Sequence, residues 1–420
     1  MTKDAAHRAR IAVSALFIAN GLSLAVWVPR LADIQSDLAI SDLEVGIALA
    51  AGAAGGLIMG PWAGWAAGKW GSARVSVVTL LLFAPMTPLL AFVPGVWAFA
   101  AVLLWIGGMD AVMDAAMNAH SLRVQRLDKR SIINAFHGYW ALGAVTGGII
   151  GAGSAIIGAS LALTLILTAI ATVGTVLLTA RWLLPGPDPD SHLESDLAVE
   201  DETDQLSMAD PSSVSPDSNG FLAIARKRAL TPLTATLGLF TVLAVVVEMI
   251  PGQWSSIYLT SIDTPSQFIG VAFVASTAGL TIGRFTGDRL VDRFGELRVV
   301  RVGMASAAIV LTLGLLIGNA WAFVLACFVA GYSVATLFPA AMRAAAHIPG
   351  IKPAAGVSMV SWLSRAGFVA PPIAVGAIAN TWGPGWGIAC AAAAAAVLVP
   401  LSAVLTRGAT PPTHVSERSL

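Results

Sequence analysis

Charge is what this sequence has least of. Only 11% of its 420 residues are Asp, Glu, Lys or Arg, while 56% are hydrophobic. Soluble domains carry about 25% charged residues. So few charges could not cover the surface of a water-soluble globule, which excludes that class. The formal net charge is zero, so there is no basic excess that would indicate a nucleic-acid partner.

Cysteine and histidine are scarce too. The two cysteines, Cys327 and Cys390, both fall in long apolar runs, which gives no disulfide framework and no metal cluster. His120 and His137 are the only histidines near the acidic residue Asp114, and no nucleophile motif, phosphate loop or metal spacing is present. We therefore expect a protein that is not an enzyme and needs no cofactor; a membrane-embedded enzyme is the alternative from another class.

Long apolar runs dominate what is present. Runs of about 18 to 25 apolar residues can cross a ~30 Å hydrocarbon core as helices, and in lipid only helices or closed barrels satisfy their backbone groups. We count twelve such runs, at residues 11–28, 45–67, 75–92, 96–119, 132–157, 159–184, 230–259, 268–287, 299–318, 321–346, 354–379 and 385–406. The first is too long, and has too many successors, to be a cleaved signal peptide. The sequence predicts an all-α membrane protein with twelve transmembrane helices.

One segment interrupts this pattern between the sixth and seventh runs. Residues 185–225 contain ten acidic residues and five prolines, with no Lys or Arg. Such a composition cannot repay the entropy of ordering. We predict an N-terminal six-helix bundle over residues 1–184, a flexible acidic cytoplasmic linker over 185–225, and a C-terminal six-helix bundle with a short tail over 226–420.

The basic residues predict the orientation. Lys and Arg are retained on the cytoplasmic side of membrane proteins, and with the N-terminus inside, 22 of the 24 basic residues fall in inward segments or at their helix ends. The other two are Arg30, near an outer helix end, and Arg365, within the eleventh span. We expect a multi-pass protein of the bacterial inner membrane with both termini in the cytoplasm.

An internal repeat divides the chain at an offset of 224 residues. Residues 69–74 (Lys-Trp-Gly-Ser-Ala-Arg) match 293–298 (Arg-Phe-Gly-Glu-Leu-Arg), and 143–147 (Gly-Ala-Val-Thr-Gly) match 367–371 (Gly-Phe-Val-Ala-Pro). Two six-helix halves in parallel register are a known arrangement of alternating-access transporters.

The basic turn after the second span of each half resembles that of the major facilitator superfamily. In the second half the family's loop pattern is Gly287, Asp288, Arg289, Asp292, Arg293, Phe294, Gly295 and Arg298. The first half keeps Gly64, Lys69, Gly71 and Arg74, but has Gly68 where Asp is usual. The resemblance implies that Arg74, Asp288, Arg289, Asp292 and Arg293 form a gate that locks the outward-facing state through ion pairs. The alternative is a solvated loop that obeys only the positive-inside rule.

Four shorter motifs narrow the resemblance. Residues 27–30, 114–119, 136–140 and 248–255 are similar to a bacterial branch of permeases loosely related to the fucose-permease-like sugar transporters. Two features disfavour the drug–proton antiporter branch: the fourth span lacks the expected Arg, and Gly148 stands where those antiporters carry Pro.

Ionisable groups inside spans are costly and mark pathways, proton sites or ion pairs. Asp110, Asp114 and Asn118 form a polar stripe on one face of the fourth span. Glu248 is the only acid of the seventh span, and we predict that Pro251-Gly252 breaks the helix after it. We expect Glu248, then Asp114 and Asp110, to couple transport to protons. Static hydrogen bonds or interhelical pairs are the alternative.

The candidate solute-binding residues are polar or aromatic. Arg365 can clamp a carboxylate or phosphate, or can pair internally with Glu248, Asp114 or Asp110. His137 can shuttle a proton, or can be a packing residue, and Trp140 follows it by one turn. The remaining candidates are Asn20, Asn118, Gln253 and Trp254. Trp254 is equally well explained as an anchor at headgroup depth, where tryptophan collects.

These features predict a secondary transporter that moves a small polar solute, sugar-like or carboxylate, by alternating access, with proton symport. We expect the solute, protons and the bilayer as its partners, and a monomer. The alternatives are a proton-coupled exporter or antiporter of amphipathic compounds, and a membrane solute sensor that does not transport.

Overall fold

The computed structural model describes residues 3–128, 132–186, 232–348, 356, 359–360 and 363–406. Within them the fold is helical. The longer helices are Lys3–Ala25, Asp42–Met59, Pro61–Trp70, Ser72–Phe83, Val96–Asp128, Ile133–Ile156, Leu161–Thr179, Pro232–Gln253, Val271–Phe294, Glu296–Ile317, Ala320–Val334, Leu337–Ala346, Ala366–Trp382 and Pro384–Leu401. The predicted linker beyond residue 186 and the tail after residue 406 lie outside these ranges.

Among the described residues, eleven helical segments are long and apolar enough to cross a membrane. They coincide with eleven of the twelve predicted spans. The eleventh predicted span corresponds to Ala366–Trp382, and part of its beginning lies outside the described residues. The fourth span continues nine residues beyond the predicted end at residue 119, to Asp128.

The predicted break in the seventh span was wrong in position. The helix passes through Pro251 and ends at Gln253, and a short helix, Ser255–Ser261, follows Trp254. Proline removes its own backbone donor and its ring crowds the carbonyl four residues earlier, but the N–H groups of the residues that follow it can still donate. The backbone N–H of Trp254 still donates to the Ile250 carbonyl at 3.0 Å, so the helical path continues past the proline.

The 224-residue repeat is visible in the backbone. Gly71 and Gly295 end the second and eighth spans with φ/ψ of 84°/140° and 80°/143°, a region that favours glycine because it has no Cβ. Each donates its N–H to the carbonyl four residues earlier at 2.8 Å. The turn that the sequence aligned is therefore the same structure in both halves.

The repeat extends to helix packing. A Cβ on Gly55 would overlap the Leu104 carbonyl oxygen, and one on Gly279 would overlap that of Phe328, 224 residues later. These contacts join the second span to the fourth and the eighth span to the tenth. Small residues allow such close approach of helices in membranes. The two halves are thus pseudo-symmetric six-helix bundles.

Candidate solute site and gates

We name the two ends of the bundle by charge. The basic side is the end that carries Lys69, Arg74, Arg293 and Arg298, and the far side is the opposite end. Odd-numbered spans run from the basic side to the far side.

A hydrogen-bonded network joins three spans of the first half. Asn20, only 2% exposed, donates from Nδ2 to Asp110 Oδ1 at 2.8 Å and accepts at Oδ1 from Trp140 Nε1 at 2.6 Å. Next to it, the ring of Phe17 meets that of His137 edge-on at 5.6 Å. The structure therefore brings together four of the predicted residues, from the first, fourth and fifth spans.

The rest of the fourth-span stripe lies one turn further along. Asn118 is buried and donates from Nδ2 to Asp114 Oδ1 at 3.2 Å. This bond stays within one helix, whereas the bond of Asp110 crosses to another span. The two acids of the stripe thus have different surroundings.

The second half carries an ion pair between the seventh and eighth spans. Arg284 Nη2 lies 3.5 Å from Glu248 Oε1, and the two side chains are 41% and 30% exposed. Charged groups that keep this exposure within spans face a bundle interior or a water-filled cavity rather than lipid. Glu248 and Arg284 therefore mark the cavity side of the seventh and eighth spans.

Sequence reasoning missed Arg284 as a site residue. It counted Arg284 among the basic helix ends because the apolar run stops near residue 287. The helix instead continues to Phe294, which puts Arg284 ten residues inside it. The sequence held a signal for this longer helix. Arg289, Asp292 and Arg293 have the spacing of a polar last turn, which would place Arg284 inside the helix.

Trp254 is not a headgroup anchor. It is 0% exposed, so that interpretation was wrong, and it lies in the break between the two helices of the seventh span. Its Nε1 and the neighbouring Gln253 Oε1 are buried without a hydrogen-bond partner in the described part of the chain. Buried polar atoms are rarely left unpaired, so both are places where a water or a solute can bind.

Arg365 lies at the junction of the two halves. It occupies the turn before Ala366–Trp382 rather than the interior of a helix. Its Nη1 lies 3.5 Å from where a Cβ on Gly60, in the second span, would stand. The guanidinium of the eleventh span thus reaches the first half, where the bare glycine leaves room for it.

The halves meet closely on the far side. A Cβ on Gly376 would lie 2.7 Å from the Asp42 carbonyl oxygen, and one on Gly270 would lie 2.6 Å from Ala152 Cβ. The short helix Ser255–Ser261 also packs against Leu31–Leu38. The eleventh and second, eighth and fifth, and seventh and first spans are therefore joined at this end.

Among the described residues, fewer close contacts join the halves on the basic side. The fifth and eighth spans still touch, since Phe285 Cζ lies 3.1 Å from the Cβ position of Gly138. The end of the tenth span, Leu337–Ala346, packs instead against the seventh span and Ser402–Thr406 of its own half.

The predicted gate residues are on the surface of the basic side. Arg74, Asp288, Arg289, Asp292 and Arg293 are all exposed, and none of them has an ion pair within the described residues. The ion pair at this turn is one that sequence reasoning missed. Arg343 Nη2, at the end of the tenth span, lies 2.9 Å from Glu296 Oε1, at the start of the ninth.

Two repeated six-helix halves around a polar interior are the architecture of a secondary transporter. Comparison with known proteins leads to the same class. The chain belongs to the Major Facilitator Superfamily, whose family model matches residues 13–265. It is 26% identical over 380 residues to the membrane protein MosC of Rhizobium meliloti, covering 89% of this chain and 84% of the relative.

Solved structures share the fold at low sequence identity. The nucleoside transporter NupG has a TM-score of 0.72 at 14% identity, covering 94% of this chain and 98% of NupG. The fucose:proton symporter FucP of E. coli has a TM-score of 0.58 at 16% identity, covering 94% and 98%.

Proposed function

We propose that this protein is a proton-coupled symporter of a small polar solute. The observation that carries the proposal is the ion pair between Glu248 and Arg284. A carboxylate within a span can be discharged by a proton, which releases its Arg partner. The charge of the cavity then differs between the solute-loaded transporter and the empty transporter that returns. Coupled alternating access requires such a difference.

The polar groups favour a sugar-like or carboxylate solute. Asn20, Trp140, Gln253 and Trp254 offer amide and indole hydrogen-bonding groups with aromatic faces, which suit hydroxyl-rich solutes. Arg365 provides a guanidinium for a carboxylate. NupG and FucP, which share the fold, carry a nucleoside and fucose according to their names.

The contacts between the halves support an inward-facing state. We take the basic side as cytoplasmic, by the positive-inside rule, in the bacterial inner membrane with both termini inside. The far side is then closed, and solute enters or leaves between the fourth and tenth spans. In the opposite state Asp288, Arg289, Asp292, Arg293 and Arg74 would gain partners and act as the gate.

The test begins by finding a solute. Thermal-shift screening of the purified protein against sugars, carboxylates and nucleosides gives a ligand, and its uptake is then measured in proteoliposomes with and without an imposed pH gradient. We expect Glu248→Gln to lose accumulation driven by the gradient and to keep solute exchange at equilibrium.

Asp37→Asn is the control, because Asp37 is an exposed acid in the short far-side helix Leu31–Leu38. It should accumulate solute as the wild type does. Full gradient-driven accumulation by Glu248→Gln would remove the coupling proposal, and depletion rather than accumulation of solute would identify an exporter.

A further inference from the structure

A groove opens on the outer surface of the first half, away from the proposed solute site. It has a volume of about 400 Å³ and lies between the fifth and sixth spans, with Leu22 of the first span among its lining residues. Its rim includes Ile157, Leu163 and Leu167, whose side chains are 80%, 51% and 57% exposed and lie in the far-side half of the bundle.

The lining of the groove is apolar although it includes three hydroxyl residues. Thr164 and Thr168 donate to backbone carbonyls of their own helix at 3.0 and 2.8 Å, and Ser154 donates to the Gly151 carbonyl at 2.7 Å. With these donors used internally, the surface offers van der Waals contact to an aliphatic chain.

The length of the groove matches one leaflet of a bilayer. Its lining residues along the sixth span extend from Ala159 to Ala171, which is about 18 Å at ~1.5 Å per residue. The hydrocarbon of one leaflet is about 15 Å deep, half of a ~30 Å core. An acyl chain that enters at the far-side end would therefore reach about the middle of the membrane.

A buried guanidinium stands at the far-side end of the groove. Arg30 is 9% exposed, and its Nη1 donates to Ser154 Oγ at 2.9 Å and to the Ala159 carbonyl at 3.3 Å, both groove residues. Its Nε pairs with Asp33. Guanidinium has five N–H donors, and in the described part of the chain the two on Nη2 have no acceptor.

We propose that this groove is a binding site for a zwitterionic glycerophospholipid, phosphatidylethanolamine, of the far-side leaflet. One acyl chain fills the groove, the phosphate accepts from Arg30 Nη2 in the geometry that guanidinium offers to phosphate, and the ammonium meets the Asp33 carboxylate, which is 40% exposed. Because Arg30 and Asp33 together are neutral, they match a headgroup that carries both charges.

The test is lipid retention by the full-length protein, counted by native mass spectrometry after incubation in detergent with equal amounts of phosphatidylethanolamine and phosphatidylglycerol. We expect wild type to retain one phosphatidylethanolamine preferentially. Ala171→Trp, which fills the groove, should retain about tenfold less, as expected when a few buried CH₂ groups of the chain lose their contacts. Ile170→Trp is the matched control, since Ile170 is 62% exposed on the same helix and does not line the groove.

The headgroup is tested separately. Arg30→Gln should lower retention of both lipids, and Asp33→Asn should remove the preference for phosphatidylethanolamine without lowering total retention. Equal loss in Ala171→Trp and Ile170→Trp, or none in either, would overturn the groove as the site. Equal retention of phosphatidylglycerol by wild type would overturn the assignment of the headgroup.

Discussion

The two halves of this transporter share their backbone but not their polar interiors. The turn at Gly71 is repeated at Gly295 within a few degrees, yet Asn20 of the first-half network has Ala244 as its repeat equivalent. Likewise Glu248 and Arg284 of the second half correspond to Leu24 and Gly60. Packing therefore kept the symmetry of the repeat, whereas the polar groups that can act on a solute or a proton lie where the symmetry is broken.

The same contrast holds at the basic side. In the first half Ser72 Oγ bonds to His120 Nδ1 at 3.0 Å, and the Leu184 backbone N–H donates to His120 Nε2 at 3.2 Å. Since Nε2 accepts, Nδ1 carries the proton and the contact is neutral. In the second half the equivalent ninth and tenth spans are joined by the Glu296–Arg343 ion pair.

The largest effect on transport should come from the ion pair of the second half. Arg284→Gln removes the guanidinium that pairs with Glu248, so we expect gradient-driven uptake in proteoliposomes to fall at least tenfold, which is about 1.4 kcal/mol of activation free energy. If the pair couples protons, the double variant Glu248→Gln/Arg284→Gln stays uncoupled. Recovery of accumulation in the double variant would show that the pair is only structural.

Loss of the first-half network should instead reduce stability. Asn20→Ala removes the buried amide that accepts from the Trp140 indole and donates to Asp110, and the loss of such a hydrogen bond costs about 1 to 3 kcal/mol. We expect a loss of about 2 to 4 kcal/mol, measured as a lower unfolding midpoint of the purified protein.

Asn118→Ala is the matched amide control, because the Asn118 amide bonds to Asp114 within one helix. It should cost about 1 kcal/mol. Equal destabilisation by the two variants would mean that the network of Asn20 does not join the spans of the first half.

Helix number and the repeat were predictable because both depend on long-range averages of the sequence. Runs of apolar residues, the placement of Lys and Arg, and the 224-residue offset each sum over many positions. Helix ends within polar turns were less predictable, which is why Arg284 was placed at a helix end. A single charged residue does not reveal whether the helix continues past it.

Side-chain pairing was predicted least well. The sequence identified Asn20, Asp110 and Trp140 as polar residues of spans, but not that one amide bridges the other two. It did not identify Arg284 as a partner of Glu248. Which side chains meet depends on helix rotation and tilt, and these are set by tertiary packing.

Equivalent glycines of the repeat should differ in how much stability is lost when a Cβ is added. A Cβ on Gly143 would overlap the Ile18 carbonyl oxygen, whereas one on the equivalent Gly367 would stand 3.0 Å from Val242 Cα, 224 residues after Ile18. Since overpacking typically costs about 1 to 3 kcal/mol, we expect about 3 kcal/mol for Gly143→Ala and about 1 kcal/mol for Gly367→Ala. Unfolding midpoints of the two variants check this order, and the reverse order would contradict it.

The smallest effect we expect is a difference in salt dependence between the two basic-side contacts. Only the loss of stability at the ion pair should depend on salt. Ser72→Ala removes a buried acceptor from neutral His120 and should cost about 1 kcal/mol at any ionic strength. Glu296→Gln removes one partner of a pair in which both side chains are 30% exposed, worth about 0.5 kcal/mol. Because salt screens exposed charges over a ~3 Å Debye length at 1 M, the difference between Glu296→Gln and wild type should disappear in 1 M NaCl while that of Ser72→Ala persists. If the loss of stability in Glu296→Gln did not change with salt, the contact between Glu296 and Arg343 would not depend on charge, and the two halves would not differ in this respect.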